Sequence, residues 1–165
     1  MSALRRHSTS ILKYNYAGLI YRQDGLACAA LSRLGLLPEI PLISIVDDDG
    51  FVRESTKGLV RSMGYAAETF ASAEEYLRSN RTADTACLIS DIQMPGMNGA
   101  DLQDRLIADG HQTPIIFVTA FPDEDIRARV LKAGAFGFLT KPFKDESLIE
   151  CLDKALVGGR TDPAS

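Results

Sequence analysis

Short apolar runs alternate with amphipathic segments along most of the chain. Five runs predict β-strands, at 42–46, 65–69, 86–90, 114–119 and 135–140, and the second is the weakest. Short continuous apolar runs are typical of strands that are buried on both faces of a parallel sheet.

Apolar residues at helical spacing predict a helix after each strand. The predicted helices lie near 51–63, 73–80, 99–109, 123–133 and 145–157. Ser72 and Glu75 have the spacing of a capping box at the start of the second helix, and Gly134 ends the fourth. Five such strand–helix units predict a doubly wound α/β domain around a five-stranded parallel sheet.

The two ends of the chain do not fit this alternation. Residues 1–40 carry five basic and two acidic side chains, and we predict a loosely ordered extension there. A partner-binding helix and a targeting segment are the other interpretations of this part. The folded domain is predicted over 41–157, and a flexible tail is predicted over 158–165.

Composition narrows the class of protein. The 165 residues are 45% hydrophobic and 24% charged, which suits one globular domain with an extension. No apolar run approaches the ~18 residues of a membrane span. Three cysteines without metal-ligand spacing indicate reduced thiols in a cytosolic protein. Beyond residue 40 the net charge is −7, and we expect no direct nucleic-acid binding because an acidic surface repels phosphates.

Reactive side chains stand at the ends of four predicted strands. Asp47 and Asp48 follow the first strand, Asp91 follows the third, Thr119 ends the fourth and Lys141 follows the fifth. Because the carboxyl ends of neighbouring parallel strands meet at one crevice, we expect these five side chains to share a pocket. Carboxylate oxygens beside an ammonium group predict a site for Mg²⁺ and a phosphoryl group.

Four motifs follow one another along the sequence. They are Asp47-Asp48, Asp91 within Asp91-Ile92-Gln93-Met94-Pro95-Gly96-Met97-Asn98-Gly99, Thr119-Ala120, and Lys141-Pro142-Phe143. In these motifs the chain resembles the receiver domain of two-component response regulators, especially the nitrogen-fixation regulator type and stand-alone receivers. The resemblance covers about residues 41–157 and implies a flavodoxin-like sheet with strand order 2-1-3-4-5.

The resemblance also implies roles for individual residues. Asp91 would accept the phosphoryl group, while Thr119 and Lys141 stabilise its charge. The Mg²⁺ contacts would come from Asp48, Asp91 and the main-chain carbonyl of Gln93, with Asp47 acting through water. The bond before Pro142 is cis in this family, which would aim the lysine into the pocket.

Two aromatic positions are implicated in signalling by the same resemblance. Phe138 stands at the position of the family's switch aromatic, which would turn inward when Thr119 moves towards the phosphate. Gln93 and Phe121 flank the path of the hydrolytic water, and the apolar Phe121 predicts a long-lived phosphorylated form.

The expected partners are proteins. A sensor histidine kinase or a histidine phosphotransfer protein would supply the phosphoryl group in a two-component phosphorelay, and a downstream protein target would receive the signal. We expect a cytoplasmic signalling domain rather than a conventional enzyme, without an output domain or a membrane contact. A dimer through the face of helix 4, strand 5 and helix 5 is a further expectation. A fragment of a longer regulator is also consistent with the sequence.

Each of these residues also has an ordinary structural interpretation. Helix capping would explain the aspartates after the first strand, and for Asp49 it is the better interpretation. Asp91 would be a turn residue, and Thr119 a β-branched strand residue. Lys141 would be a surface lysine, and Phe138 a static core residue.

Three other functional classes are alternatives to a phosphorylated receiver domain. Phosphatases of the haloacid-dehalogenase type need a second aspartate two positions after the nucleophile, and Gln93 stands there. Nucleotide binding is disfavoured because the first strand ends in acidic residues rather than a Gly-rich loop. An interaction module that is not phosphorylated remains the main alternative.

Overall fold

Five parallel strands form one sheet in the part of the chain that the structure describes. The structure, a computed structural model, describes residues 40–158. Numbered along the chain, the strands lie side by side in the order second, first, third, fourth, fifth, and every neighbouring pair is parallel, so the predicted doubly wound sheet is confirmed. The predictions for 1–40 and 158–165 fall almost wholly outside the described residues. Within 40–158, no helix has both the length and the apolar character to cross a membrane.

Helices and strands alternate along the described chain as the hydrophobic pattern predicts. In chain order the elements are β1 Leu42–Val46, α1 Gly50–Ser62, β2 Ala66–Phe70, α2 Ala73–Arg78, β3 Thr85–Asp91, α3 Gly99–Ala108, β4 Ile115–Thr119, α4 Glu124–Lys132, β5 Gly137–Thr140 and α5 Asp145–Gly158. The weak second strand is confirmed. The third strand is longer than predicted, because Asp91 still pairs with Val118 of β4.

Two apolar cores lie on the two faces of the sheet. Successive side chains of a strand point to opposite faces, so Phe117 joins one core and Ile116 joins the other. The first core also contains Tyr76 and Leu102 from α2 and α3, and the second contains Leu148 from α5. Full burial of one such side chain is worth about 1.5–3 kcal/mol. Both faces of the sheet are therefore covered, which leaves the strand ends as the place for polar chemistry.

Helix α4 is joined to the domain by apolar packing and by polar contacts, and Ile126 packs against the first core as a partly buried side chain. Val130 is its one fully buried residue. The buried Gln103 amide of α3 donates a hydrogen bond to the Val130 carbonyl at 3.1 Å. At the surface, Arg129 forms ion pairs with Asp101 at 3.3 Å and Asp104 at 2.5 Å. Helix α4 is thus joined to α3 by polar contacts and to the apolar core by Val130.

Candidate functional site

Three carboxylates converge where β1 and β3 end. Val46 pairs with Ser90 in the sheet, so the next residues, Asp47 and Asp91, come side by side. Asp47, Asp48 and Asp91 each present a carboxylate oxygen within 4.8 Å of the other two. Asp47 and Asp91 are buried while Asp48 is exposed. The predicted acidic pocket is therefore present in the structure.

Lys141 brings a positive charge to this cluster. It follows β5, and its peptide bond to Pro142 is cis, as the resemblance implies. The Lys141 Nζ donates to Asp47 Oδ2 at 2.7 Å and to Asp91 Oδ2 at 2.8 Å. The lysine side chain is 15% exposed, which does not fit the interpretation as a surface lysine.

Burial and charge together set the ionisation of the pocket. Burial raises the pKa of the Asp47 carboxyl above its usual range, and the contact with Lys141 opposes that rise without cancelling it. Burial also acts to lower the pKa of Lys141, but its hydrogen bonds to Asp47 and Asp91 outweigh burial, so the pKa is raised. The lysine is therefore charged at neutral pH, and the carboxylates outnumber the ammonium group that contacts them.

The donor set suits a hard divalent cation. Mg²⁺ binds oxygen ligands, usually one or two carboxylates with several waters. Asp48 is exposed and open to such an ion, whereas one oxygen each of Asp47 and Asp91 is engaged by Lys141. Gln93 lies beside the cluster, and its backbone N–H donates to Asp91 Oδ1 at 3.0 Å. Burial, with a smaller contribution from the charge of Asp91, raises the pKa of Asp47, and an added cation would favour its ionised form.

A tight loop follows Asp91 and returns the chain to α3. Gly96 has φ +78°, a conformation that L side chains rarely adopt. At Gly99 a Cβ would lie 2.2 Å from the Asp91 carbonyl oxygen, so only glycine permits this approach. The Gly99 N–H also donates to the Ile92 carbonyl at 2.9 Å. The start of α3 is therefore packed directly against the backbone of Asp91.

Thr119 ends β4 and is fully buried. Its hydroxyl stays within its own loop, where it accepts from the Phe121 N–H at 3.3 Å and lies 3.4 Å from the Phe121 carbonyl oxygen. The structure thus places Thr119 at the same edge of the sheet as the carboxylates, with its hydroxyl turned towards the Phe121 peptide. The Phe121 side chain itself is 68% exposed.

Phe138 lies in β5 and is half-buried. Its ring packs against the core that contains Val130, and the Arg127 guanidinium carbon lies 5.9 Å from the ring centroid. The ring thus borders α4. Its switch role stays a prediction.

Asp49 and Arg53 lie near the pocket, and the sequence predicts a role only for the first of them. Asp49 was expected to cap a helix, and its carboxylate accepts from the N–H groups of Phe51 and Val52, so that expectation is confirmed. Arg53 was not singled out. Its guanidinium Nη1 donates to the Asp47 carbonyl at 2.5 Å. No motif marks Arg53, because the contact arises only when the first turn of α1 folds back over the end of β1.

The comparison with known families agrees with this geometry. Residues 43–153 match the sequence model of the response regulator receiver domain, and this segment contains the acidic cluster and Lys141. The chain belongs to the response regulator receiver domain family. The resemblance inferred from the motifs is therefore confirmed, and the domain has the fold of signalling receiver domains.

Relatives and solved structures place this receiver domain among known response regulators. It is 42% identical over 115 residues to the response regulator protein TodT of Pseudomonas putida, a match covering 70% of this chain and 51% of TodT. It is 34% identical over 120 residues to the transcriptional regulatory protein FixJ of Azorhizobium caulinodans, covering 73% and 57% of the two chains. The chain thus spans about half the length of the curated relatives it matches.

Solved structures resemble the receiver domain closely. The response regulator StyR superposes with a TM-score of 0.69 at 40% identity, covering 73% of this chain and 61% of StyR. The structure of FixJ-N gives a TM-score of 0.66 at 31% identity, covering 73% of this chain and 96% of FixJ-N. These likenesses agree with the five-stranded sheet and its strand order.

Proposed function

We propose that this receiver domain is a phosphoacceptor of a two-component phosphorelay, with Asp91 as the phosphorylated residue. One observation carries the proposal: the Asp91 carboxylate contacts the Lys141 ammonium at 2.8 Å and lies beside the carboxylates of Asp47 and Asp48. A carboxylate at the end of a strand, beside a fixed cation, is suited to accept a phosphoryl group.

The proposed transfer needs few groups. A carboxylate oxygen of Asp91 attacks the phosphorus of a phosphohistidine, the new P–O bond forms as the P–N bond breaks, and the imidazole nitrogen keeps the electron pair and takes a proton. Lys141 offsets charge on the phosphoryl oxygens. The Thr119 hydroxyl has to leave the Phe121 peptide before it can donate a hydrogen bond to the phosphoryl group.

Mg²⁺ is the cofactor that the proposed reaction uses. Asp48, Asp91 and the Gln93 main-chain carbonyl would hold it, and Asp47 would act through water. The ion would neutralise negative charge on the phosphoryl group. The protein's own part is to fix the orientation of Asp91, through Lys141 on one carboxylate oxygen and the Gln93 N–H on the other.

The partners follow from the proposed reaction. In the cytoplasm, where we propose that this domain acts, a sensor histidine kinase or histidine phosphotransfer protein would donate the phosphoryl group. A downstream protein would recognise the phosphorylated surface. The face formed by α4, β5 and α5 is proposed as a site of dimerisation, because Phe138 and Arg127 lie there. Signalling through protein contacts stays a prediction.

Intact mass spectrometry tests the proposal. The full chain is incubated with acetyl phosphate and MgCl₂, and we expect one phosphoryl adduct that is lost in Asp91→Asn and in the presence of EDTA. Asp49→Asn is the matched control, because asparagine also caps a helix, and this variant should keep the adduct. An adduct that persists in Asp91→Asn would place the phosphoryl group elsewhere. The absence of an adduct under all conditions would favour the interaction module.

A further inference from the structure

The loop after Asp91, residues 92–98, is fixed by contacts at both of its ends. At its start the Gln93 N–H donates to Asp91 Oδ1, and at its end the Asn98 side chain accepts from the Asp101 N–H at 2.9 Å. Gln93 contributes a proposed Mg²⁺ ligand through its carbonyl. The position of this loop therefore bears on the geometry of the metal site.

A residue of α2 holds the middle of this loop. Glu74 Oε1 accepts a hydrogen bond from the Met97 N–H at 2.9 Å, a contact that joins residues 23 positions apart. Gly96 lies beside it, and a Cβ there would be 2.7 Å from the same oxygen. Glycine at this position thus lets the carboxylate reach the loop backbone.

Helix capping accounts for only some of the contacts of Glu74, whose carboxylate interacts with the Met97 N–H as well as with its own N–H and the Ser72 side chain. The start of α2 is capped by its neighbours: Ser72 Oγ accepts from the Glu75 N–H at 3.1 Å, and Glu75 Oε2 accepts from the Ala71 N–H at 2.7 Å. The Met97 N–H lowers the pKa of the Glu74 carboxyl, so this acceptor is ionised at neutral pH and its bond to the loop is charge-assisted.

We propose that Glu74 is a positioning residue for the phosphoacceptor site: it holds the backbone at Met97 and so keeps the Gln93 carbonyl where Mg²⁺ requires it. This inference rests on the proposed function in its use of Mg²⁺. Groups that orient metal ligands commonly change metal affinity by about 10- to 100-fold. Glu74 acts through the loop rather than on a ligand itself, so we expect an effect of about three- to tenfold.

The test compares three variants of the full chain with the wild type. Glu74→Ala removes the acceptor, Glu74→Gln keeps an acceptor oxygen, and Glu75→Ala removes a helix-capping contact one residue away without touching the loop. Titration with MgCl₂, followed by backbone amide NMR, gives the Mg²⁺ dissociation constant. Hydrogen exchange of the Met97 amide is measured on the same samples, and the thermal midpoint of each variant is recorded.

We expect Glu74→Ala to raise the Mg²⁺ dissociation constant about three- to tenfold and to speed Met97 exchange. Glu74→Gln should recover at least half of the lost affinity, since it can still accept the Met97 N–H. Glu75→Ala should lower the thermal midpoint yet leave the Mg²⁺ dissociation constant within about twofold of the wild type.

Two outcomes would overturn the proposal. One is a Glu74→Ala dissociation constant within about twofold of the wild type, and the other is an equal loss of affinity in Glu75→Ala. Neither readout depends on phosphorylation. If the wild type forms no phosphoryl adduct but Glu74→Ala still weakens Mg²⁺ binding selectively, the positioning role is supported and the proposed function fails.

Discussion

Replacing Lys141 by methionine removes the cation that contacts the two buried carboxylates and keeps most of the bulk of its stem. The Nζ lies 2.7 Å from Asp47 Oδ2 and 2.8 Å from Asp91 Oδ2. The three side chains are 15%, 4% and 10% exposed, in the order Lys141, Asp47, Asp91, so solvent does little to screen them. We expect Lys141→Met to destabilise the fold in the absence of divalent cations.

The size of the effect follows from the uncompensated charge. Removing one partner of a buried ion pair costs about 3–5 kcal/mol. The pocket is open on the side of the exposed Asp48, so we take the lower end, a loss of about 3 kcal/mol. For a domain of this size that corresponds to a fall of about 10 °C in the thermal midpoint.

The loss should depend on pH in a defined direction. Burial already raises the folded-state pKa of Asp47, and removal of Lys141 raises it further. A carboxyl whose pKa is higher in the folded than in the unfolded state destabilises the fold once it is ionised, and protonation relieves that cost. The difference between variant and wild type should therefore be full near pH 7.5 and should narrow towards pH 5.

Urea unfolding in EDTA, followed by circular dichroism at both pH values, measures the difference. Lys141→Met combined with Asp47→Asn should regain about half of the lost stability or more, because one buried charge has been removed. Addition of about 10 mM MgCl₂ should stabilise Lys141→Met more than the wild type. A variant within about 0.5 kcal/mol of the wild type near pH 7.5 would refute this account of the pocket.

Three further predictions concern single positions. Gly99→Ala should lower the free energy of unfolding by about 2 kcal/mol or more and slow phosphorylation from acetyl phosphate, because its Cβ would collide with the Asp91 carbonyl; wild-type values for both would contradict the close approach. Phe121→Asn should shorten the lifetime of the phosphorylated form, since asparagine can orient water; decay followed by intact mass checks this, and an unchanged half-life would dismiss a shielding role. The Cys87 thiol, fully buried with its pKa raised to about 12, should not react with a disulfide reagent until the protein unfolds, whereas the half-buried Cys151 should react sooner; peptide mapping of the labelled sites would expose any early Cys87 adduct.

The parallel sheet and the meeting of the carboxylates could be anticipated because both depend on regular features, whereas the strand order came only from the resemblance to receiver domains. Continuous apolar runs locate the strands, and the geometry of a parallel sheet then brings Asp47 and Asp91 to one edge. The ends of the strands were predicted less accurately than their existence. Asp91 was expected to follow β3, but it is the last residue of that strand because it still pairs with Val118.

The contacts that support the site could not be predicted in the same way. Glu74 meets Met97 across 23 positions, and no periodicity or motif relates a helix start to a distant loop backbone. The hydroxyl of Thr119 was expected to serve the phosphoryl group, and its contact with the Phe121 peptide depends on a local turn. Such details are decided by packing after the sheet has formed, so sequence patterns do not specify them.

The attachment of α4 has a consequence for the energy that a signal needs. One fully buried side chain, Val130, contributes about 1.5–3 kcal/mol to docking the helix, and the partly buried Ile126 adds a smaller contribution. The exposed ion pairs of Arg129 add little and weaken as salt rises. We therefore expect α4 to open at a free energy well below that of global unfolding, with its amides exchanging first. A change of charge in the pocket could then alter the surface at α4 at a free-energy cost that is only a small fraction of the stability of the domain.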